Sequence, residues 1–163
     1  MKILITVSFD GTNYNGYQLQ GEKPTVALML NRAAEKTFGF PCNVTGCSRT
    51  DSGVHALGFA ATIEPRSKKD AISVPIDKIA LAMNANLPDD ISVLSACPVD
   101  DTFHPRYGVV KKEYVYKIHD SEIRNPSAQT VNSMMSPSRF MQLPKTVLSV
   151  SVILEPLDIN ESK

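Results

Sequence analysis

The feature that most constrains the fold is a change in hydrophobic period within residues 1–38. Residues 2–9 alternate between apolar and polar side chains, which is the pattern of a half-buried β-strand. Residues 25–38 instead repeat apolar side chains every three or four positions, which predicts an amphipathic α-helix. Thr25 is a suitable N-cap for this helix, and Gly39 is a suitable C-terminal stop. The chain therefore begins with a strand and a helix.

Further elements follow the same two periods. In chain order the sequence predicts strands at 43–45 and 59–64, a helix from Pro75 with an apolar stripe of Ile76, Ile79, Ala80 and Met83, and strands at 91–97 and 112–119. The resulting order is βαβ-βαββ or close to it. Such an order indicates an α+β fold, in which an antiparallel sheet carries helices on one face. A ferredoxin-like sheet is the simplest architecture of this kind.

The regular pattern ends after residue 126. Residues 127–163 mix Ser, Pro and Met around one apolar run at 147–154, which predicts an additional edge strand. The polar residues after this run are expected to fray. A length of 163 residues is typical of one folding unit. We therefore expect one patterned domain at 1–126 and an irregular C-terminal segment at 127–163.

Composition indicates an ordinary globular chain of the cytoplasm. Hydrophobic residues make up 42% and charged residues 21%, and no apolar run approaches the roughly 20 residues that cross a bilayer. The first residues turn polar too early for a signal peptide. Three cysteines without a CxxC pair favour a reduced protein over a disulfide framework. We expect a cytoplasmic protein with no membrane partner.

The charge distribution gives no global signal for a nucleic-acid partner. Seventeen basic and seventeen acidic residues give a net charge of zero. Residues 104–119 are locally basic, with Arg106, Lys111, Lys112 and Lys117 opposed by Glu113. Taken alone, such a run is more often a solvated face than a binding surface.

The stretch GCSRTDSGVHALG at residues 46–58 concentrates polar and charged residues between two apolar segments. A metal site would have to use Cys42, Cys47, His55 and His104, which lack the close pairing that structural zinc sites show. A Ser-His-Asp triad is disfavoured, because its three candidates would lie in one loop without a nucleophile elbow. Neither a metal site nor a triad is expected.

Two interpretations of this stretch stay open from the residues alone. It is either a glycine-containing turn in which Asp51 and Ser52 cap backbone amides, or a loop that presents Asp51 as a nucleophile or base. In the second case Arg49, two residues earlier, would keep the Asp51 carboxylate ionised.

Five motifs in order carry a family resemblance: FDGTNYNGYQLQ at 9–20, GCSRTDSGVHALG at 46–58, NANLPDDI at 84–91, FHPRYGVVKKEYVYKI at 103–118 and RNP at 124–126. In sequence and spacing they resemble the tRNA pseudouridine synthase A family. RTDSGVHA, around Asp51, is the most specific of them. The resemblance covers roughly the first 126 residues and implies that they form the N-terminal ferredoxin-like half of such an enzyme.

The resemblance implies an isomerase that converts uridine to pseudouridine in the anticodon stem-loop of tRNA, at positions 38 to 40. It implies tRNA as the partner, a homodimer, and neither a metal nor an organic cofactor. Asp51 matches the family's nucleophile, Arg49 matches the arginine that pairs with it, and Tyr114 matches a tyrosine that contacts the target base. The reaction needs the nucleotide to be flipped into a pocket, where a tyrosine ring can stack on the base. Attack at C1′, attack at C6 and glycal formation all remain open as routes.

Other matched positions imply contacts with RNA. Arg106, Lys111 and Lys112 match an RNA-facing segment and are expected to contact phosphates. His55 is expected to hold the loop or touch RNA, and it suits a structural hydrogen bond better than a general base. The motif DGTNY is expected near the tRNA or the pocket rim.

Two departures from the family pattern are visible. Tyr17 and Leu19 stand where the family usually has tryptophan and arginine. Family members are also considerably longer, because a second half supplies the other wall of the cleft. The chain therefore resembles a truncated member, and weak or absent activity is expected. The alternative is a catalytically silent tRNA-binding module.

Overall fold

The computed structural model describes residues 1–119 and 146–156, and it describes the side chains of residues 1–108 and 113–115. The boundary expected at residue 126 lies outside these ranges. Eight elements are present in the described residues: β1 (Lys2–Phe9), α1 (Val26–Phe38), β2 (Cys42–Gly46), β3 (His55–Pro65), α2 (Ile76–Asn84), β4 (Ile91–Val99), β5 (Val109–His119) and β6 (Thr146–Pro156).

Helix α1 begins and ends where its capping residues predict. The side chain of Thr25 accepts a hydrogen bond from the backbone N–H of Leu28, which satisfies one of the free amides of the first turn. At the other end Gly39 has a φ of 80°, in the left-handed region, and its N–H donates to the carbonyl of Glu35. The predicted N-cap and stop are confirmed.

The sheet has the order β4-β1-β3-β6-β5, with β2 paired to β3 off this path. Strand β1 pairs antiparallel with both β3 and β4, and β2 pairs antiparallel with β3. The helices α1 and α2 contact each other and pack on the sheet through β2 and β4. The predicted α+β fold, a mainly antiparallel sheet with helices on one face, is confirmed.

Strand β6 differs from its prediction as an edge strand. It lies between β3 and β5, pairs antiparallel with β5, and pairs parallel with β3, where His55 is opposite Ser151. The edge placement is therefore wrong. An apolar run predicts that a strand forms, but the partner of that strand is decided by contacts distant in sequence.

The core lies between the sheet and the two helices. Alternate residues of β1, namely Ile3, Ile5 and Val7, are fully buried, as are Phe59 and Ile63 on β3. The helices contribute the buried side chains Leu30, Ala33, Ala34, Ile79 and Met83. Truncating a buried side chain of this size costs roughly 2–5 kcal/mol. Strands β1 and β3 are therefore a rigid base for the loop that connects β2 to β3.

Candidate active site

The loop at residues 47–54, here called the Asp51 loop, connects β2 to β3. Its first residue, Cys47, donates its backbone N–H to the carbonyl of Ala60 on β3, at 2.9 Å. Along one side of β3, the C-terminal part pairs with β2 and the N-terminal part pairs with β6. The loop therefore leaves the sheet at the point where the neighbour of β3 changes.

Asp51 occupies the first position of a tight turn. The N–H of Val54 donates to the carbonyl of Asp51, at 3.3 Å. Gly53, inside the turn, has a φ of 78°, a backbone conformation that residues other than glycine rarely adopt. Asp51 itself is exposed, and within the described residues its carboxylate forms no hydrogen bond or ion pair. The turn thus presents a free carboxylate.

The segment at residues 10–17, here called the clamp segment, holds the Asp51 loop through three hydrogen bonds. The N–H of Tyr17 donates to the carbonyl of Thr50 at 3.2 Å. The carbonyl of Tyr14 accepts from the N–H of Gly53 at 3.3 Å and from the hydroxyl of Ser52 at 3.1 Å. These bonds fix the backbone on both sides of Asp51.

Two glycines allow the clamp segment to lie directly against the loop. A Cβ on Gly16, whose φ is 77°, would lie 2.3 Å from the carbonyl oxygen of Thr50. A Cβ on Gly11 would lie 1.9 Å from the carbonyl oxygen of Val54. Both distances are too short for any other residue, because a backbone atom cannot move aside as a flexible side chain can. Glycine at these two positions is therefore a condition of the loop geometry.

Asp90, before β4, fixes the position of Tyr14. The Tyr14 hydroxyl donates a short hydrogen bond to the Asp90 carboxylate. The carbonyl of Asp90 also accepts the N–H of Asp10, at 2.9 Å. Burial and the bond to Asp90 raise the pKa of Tyr14, so its hydroxyl stays a donor at neutral pH. The clamp segment is thus tied to β4 as well as to the loop.

His55, the first residue of β3, lies against Asp10. Its Nδ1 is 3.0 Å from Oδ1 of Asp10 and 3.3 Å from the backbone nitrogen of Gly11. Burial acts to raise the pKa of Asp10, but hydrogen bonds from Thr12 and the neighbouring His55 outweigh it, so the pKa is lowered. The His55 side chain therefore links the clamp segment to the end of the Asp51 loop.

Beneath the loop, Tyr17 packs into the core. Its ring stacks on Phe59 with centroids 4.4 Å apart, and a Cβ on Gly46 would lie 2.5 Å from the ring. Burial raises the pKa of the Tyr17 hydroxyl. Within the described residues, the buried hydroxyls of Tyr17, Ser48 and Thr50 have no hydrogen-bond partner. Unpaired buried hydroxyls are uncommon in proteins, and here all three lie in or under one loop.

The chain matches the family model of the tRNA pseudouridine synthases over residues 5–108. This range includes the Asp51 loop, the clamp segment and Asp90. The chain belongs to the tRNA pseudouridine synthase family.

Three similar proteins are each described as tRNA pseudouridine synthase A. The one from Thermoanaerobacter sp. (strain X514) is 41% identical over 125 residues, which are 77% of this chain and 49% of that protein. The one from Ruminiclostridium cellulolyticum is 43% identical over 120 residues, or 74% and 47%. The one from Exiguobacterium sp. is 38% identical over 147 residues, or 86% and 56%. The chain spans about half the length of the curated relatives it matches.

The structure brings some of the predicted site residues together. Asp51 and Arg49 lie on one loop and are both exposed, and His55 lies at its end. None of the ion pairs within residues 1–108 joins Arg49 to Asp51. In the part of the chain that the structure describes, Asp51 caps no backbone amide and Ser52 donates to a carbonyl, which disfavours the capping interpretation.

The residues predicted on or before β5 lie farther along the sheet. Tyr114, which is 49% exposed, is opposite Val152 on β6, which in turn is opposite Ala56 on β3. Two strand spacings therefore separate Tyr114 from Ala56, about 10 Å. Arg106 is exposed before β5, and the backbones of Lys111 and Lys112 lie on β5 opposite Glu155 and Leu154.

Tyr14, Asp90 and Asp10 make contacts around the loop that the sequence motifs did not reveal. The sequence places these residues only in motifs of the family resemblance, because a contact such as the one between Tyr14 and Asp90 joins distant parts of the chain. The turn motif DGT followed later by the acidic motif PDD is the only hint of this contact in the sequence.

The described residues contain no group of three His, Cys, Asp or Glu residues that could hold a metal ion. They also contain no helix long and apolar enough to span a membrane.

Proposed function

We propose that Asp51 is the nucleophile of an enzyme that isomerises uridine to pseudouridine in the anticodon stem-loop of tRNA. One observation carries this proposal. The Asp51 carboxylate is exposed and without a partner in the described residues, although the backbone on both sides of it is held by hydrogen bonds. A carboxylate that served only to stabilise a turn would bond to the backbone around it.

The reaction fits a carboxylate that acts without a cofactor. The bond between N1 of uracil and C1′ of the ribose breaks, and a bond between C5 and C1′ forms. The C5 proton is lost and N1 gains a proton, so the overall change is redox-neutral. Asp51 attacks C1′ or C6, or assists formation of a glycal, and each route starts from the ionised carboxylate. The base has to leave the RNA stack to reach it.

Arg49 and Tyr114 complete the proposed site. Arg49 is exposed beside Asp51, so its guanidinium can pair with the carboxylate or with the phosphate of the flipped nucleotide. Tyr114 is half-exposed, two strand spacings or about 10 Å from Ala56 of β3, and in this proposal its ring stacks on the base that Asp51 attacks. His55 holds the loop through Asp10 and Gly11.

The wider proposal concerns partners. Arg106, Lys111 and Lys112 contact tRNA phosphates, in agreement with the basic composition of residues 104–119. Neither a metal nor an organic cofactor takes part in the reaction. We include in the proposal a homodimer and a cytoplasmic location, where tRNA is found. Size-exclusion chromatography with light scattering measures the oligomeric state.

The 163-residue polypeptide corresponds to about half of its relatives, so we propose that alone it has weak or no activity. The decisive test joins residues 1–119 to the C-terminal half of the Thermoanaerobacter protein and assays pseudouridine in a tRNA transcript. In this fusion Asp51→Asn, which keeps the size of the side chain, abolishes product while tRNA binding persists. Retained product would remove Asp51 from the role. Salt-dependent tRNA binding without product in the parent fusion would favour the silent binding module.

A further inference from the structure

A tight turn at residues 104–107, here called the HPRY turn, precedes β5. The carbonyl of His104 accepts the N–H of Tyr107 at 3.1 Å and the N–H of Gly108 at 2.9 Å. The N–H of Arg106 donates to Nδ1 of His104 at 3.2 Å, which orients the imidazole ring. The turn is therefore closed by its own backbone and by the side chain of its first residue.

The HPRY turn is attached firmly to the body of the protein. Pro105 is fully buried, and Phe103 packs against the core. A Cβ on Gly108 would lie 2.4 Å from the Phe103 ring, so the chain on both sides of the turn packs closely. Lys2 of β1 donates to the carbonyls of Asp101 and Phe103, at 2.9 and 3.1 Å. Both flanks of the turn are thus fixed to the sheet.

This rigid turn exposes an aromatic ring. Tyr107 is 82% exposed, whereas Tyr14 and Tyr17 are 6% and 5% exposed. The only ring contact of Tyr107 in the described residues is with His104, with centroids 4.9 Å apart and an angle of 40°. Most of the Tyr107 ring is therefore open to solvent. Because the turn is ordered, the exposed ring is available to a ligand without rearrangement of the backbone.

We propose that Tyr107, supported by His104, stacks on an unpaired nucleobase of the RNA. An aromatic face stacks on any base, at about 1–3 kcal/mol for each base. Arg106, the adjacent exposed residue, then contacts the phosphate that joins this nucleotide to its neighbour. The proposal deepens the proposed function, since it takes a tRNA with unpaired loop nucleotides as the substrate. It assigns a base-binding site outside the Asp51 loop.

Charge favours RNA over a protein as the partner of this turn. Arg106 forms no ion pair within the described residues, and residues 106–117 contain four basic residues against one acidic residue. An aromatic residue beside an arginine that has no ion pair in the described residues matches the two components of a nucleic acid, its bases and its phosphates. A surface with an excess of positive charge is attracted to the polyanionic backbone of RNA.

The first experiment separates stacking from phosphate contact by salt dependence. The 163-residue protein and its variants are titrated with tRNA and with single-stranded oligouridylate at several salt concentrations. Tyr107→Ala weakens binding roughly 5- to 150-fold with an unchanged salt slope, because stacking releases no counterions. Tyr107→Phe retains affinity. Arg106→Ala instead reduces the slope by about one.

The second experiment uses the absence of tryptophan from the chain. Tyr107→Trp introduces a single reporter, and stacking of a base quenches its fluorescence. Leu81→Trp, at a 71% exposed position on α2, is the matched control and is not quenched. Single-stranded RNA quenches the Tyr107→Trp variant more strongly than a fully paired duplex does. Circular dichroism confirms that all variants fold.

Several results would overturn the stacking site. In the binding titration these results are an unchanged RNA affinity of Tyr107→Ala or failure of the parent protein to bind either RNA. In the fluorescence experiment they are equal quenching of the two tryptophan variants, or stronger quenching of Tyr107→Trp by duplex than by single-stranded RNA. Failure of the proposed function has a separate signature. In that case Tyr107 variants change RNA binding as expected, while the fusion described above forms no pseudouridine.

Discussion

The Asp51 loop and the HPRY turn both present an exposed side chain, but they are held in different ways. The HPRY turn is closed by its own backbone and by the buried Pro105 and the partly buried Phe103, and Lys2 of β1 holds only its N-terminal flank. The Asp51 loop depends on a separate segment, residues 10–17, and through Tyr14 on Asp90. A site that holds one carboxylate against a reacting carbon needs fixed geometry on both sides, whereas a stacking ring needs only a stable base. Substitutions in the clamp segment should therefore have larger effects.

The largest effect is expected for Gly16→Ala. Alanine at position 16 would have an unfavourable φ, and its Cβ would clash with the carbonyl oxygen of Thr50. We therefore expect a loss of roughly 3 kcal/mol or more in the free energy of unfolding. Gly21→Ala is the matched control, because Gly21 has a φ of 61° but no atom within 4 Å. It should cost only about 1–2 kcal/mol. Urea denaturation measures both, and equal losses would show that contact with the loop is unimportant.

A smaller effect is expected for Tyr14→Phe. The change removes a buried hydroxyl that bonds to Asp90, which should cost about 1–2 kcal/mol in the free energy of unfolding. Amide exchange at Gly53 should also accelerate, since the Tyr14 carbonyl accepts that amide. Tyr107→Phe, at an exposed tyrosine, should change stability by less than about 0.5 kcal/mol. Similar losses for the two variants would contradict the difference between the two regions.

The smallest effect is expected in the pH dependence of stability. The pKa of Asp10 is lowered in the folded state, so its contribution is present above the unfolded value and is lost as the pH falls through the folded pKa. Asp10→Asn should flatten the acid limb of a stability profile measured below about pH 5.

Asp100→Asn is the control for this pH effect. Thr102 donates its N–H and its hydroxyl to Asp100 as Thr12 does to Asp10, and these bonds together with the charge of Lys2 lower the pKa of Asp100. Among the described residues only Asp10 of the two lies beside a histidine, so we expect a larger flattening in Asp10→Asn than in Asp100→Asn. An acid limb equally steep in Asp10→Asn and the parent would exclude any contribution from this carboxylate.

Local patterns predicted the elements well where capping residues define them. Thr25 and Gly39 set the limits of α1. The start of β3 was placed at residue 59 instead of His55, because Gly58 interrupts the apolar pattern. In the structure the pairing of β1 with β3 shifts register at this same point. The position of β6 could not be predicted, since its partners are more than 25 residues away in sequence.

The candidate site was predictable only as a set of motifs. RTDSGVHA identified Asp51, but the residues that hold it lie elsewhere in the chain. Tyr14 and Ser52 are 38 positions apart, and Tyr14 and Asp90 are 76 apart. Hydrogen bonds over such separations leave no periodic pattern in one sequence. The exposure of Tyr107 likewise depends on how the turn meets the sheet.

The position of the clamp along the chain has a consequence for the order of synthesis. The Asp51 loop, the clamp segment and Asp90 all belong to the first 90 residues. Domains generally begin to fold as they leave the ribosome, N-terminal parts first. The carboxylate can therefore be locked in place while the HPRY turn and β5 are still inside the exit tunnel. The proposed nucleophile would be in place before the turn proposed to bind RNA.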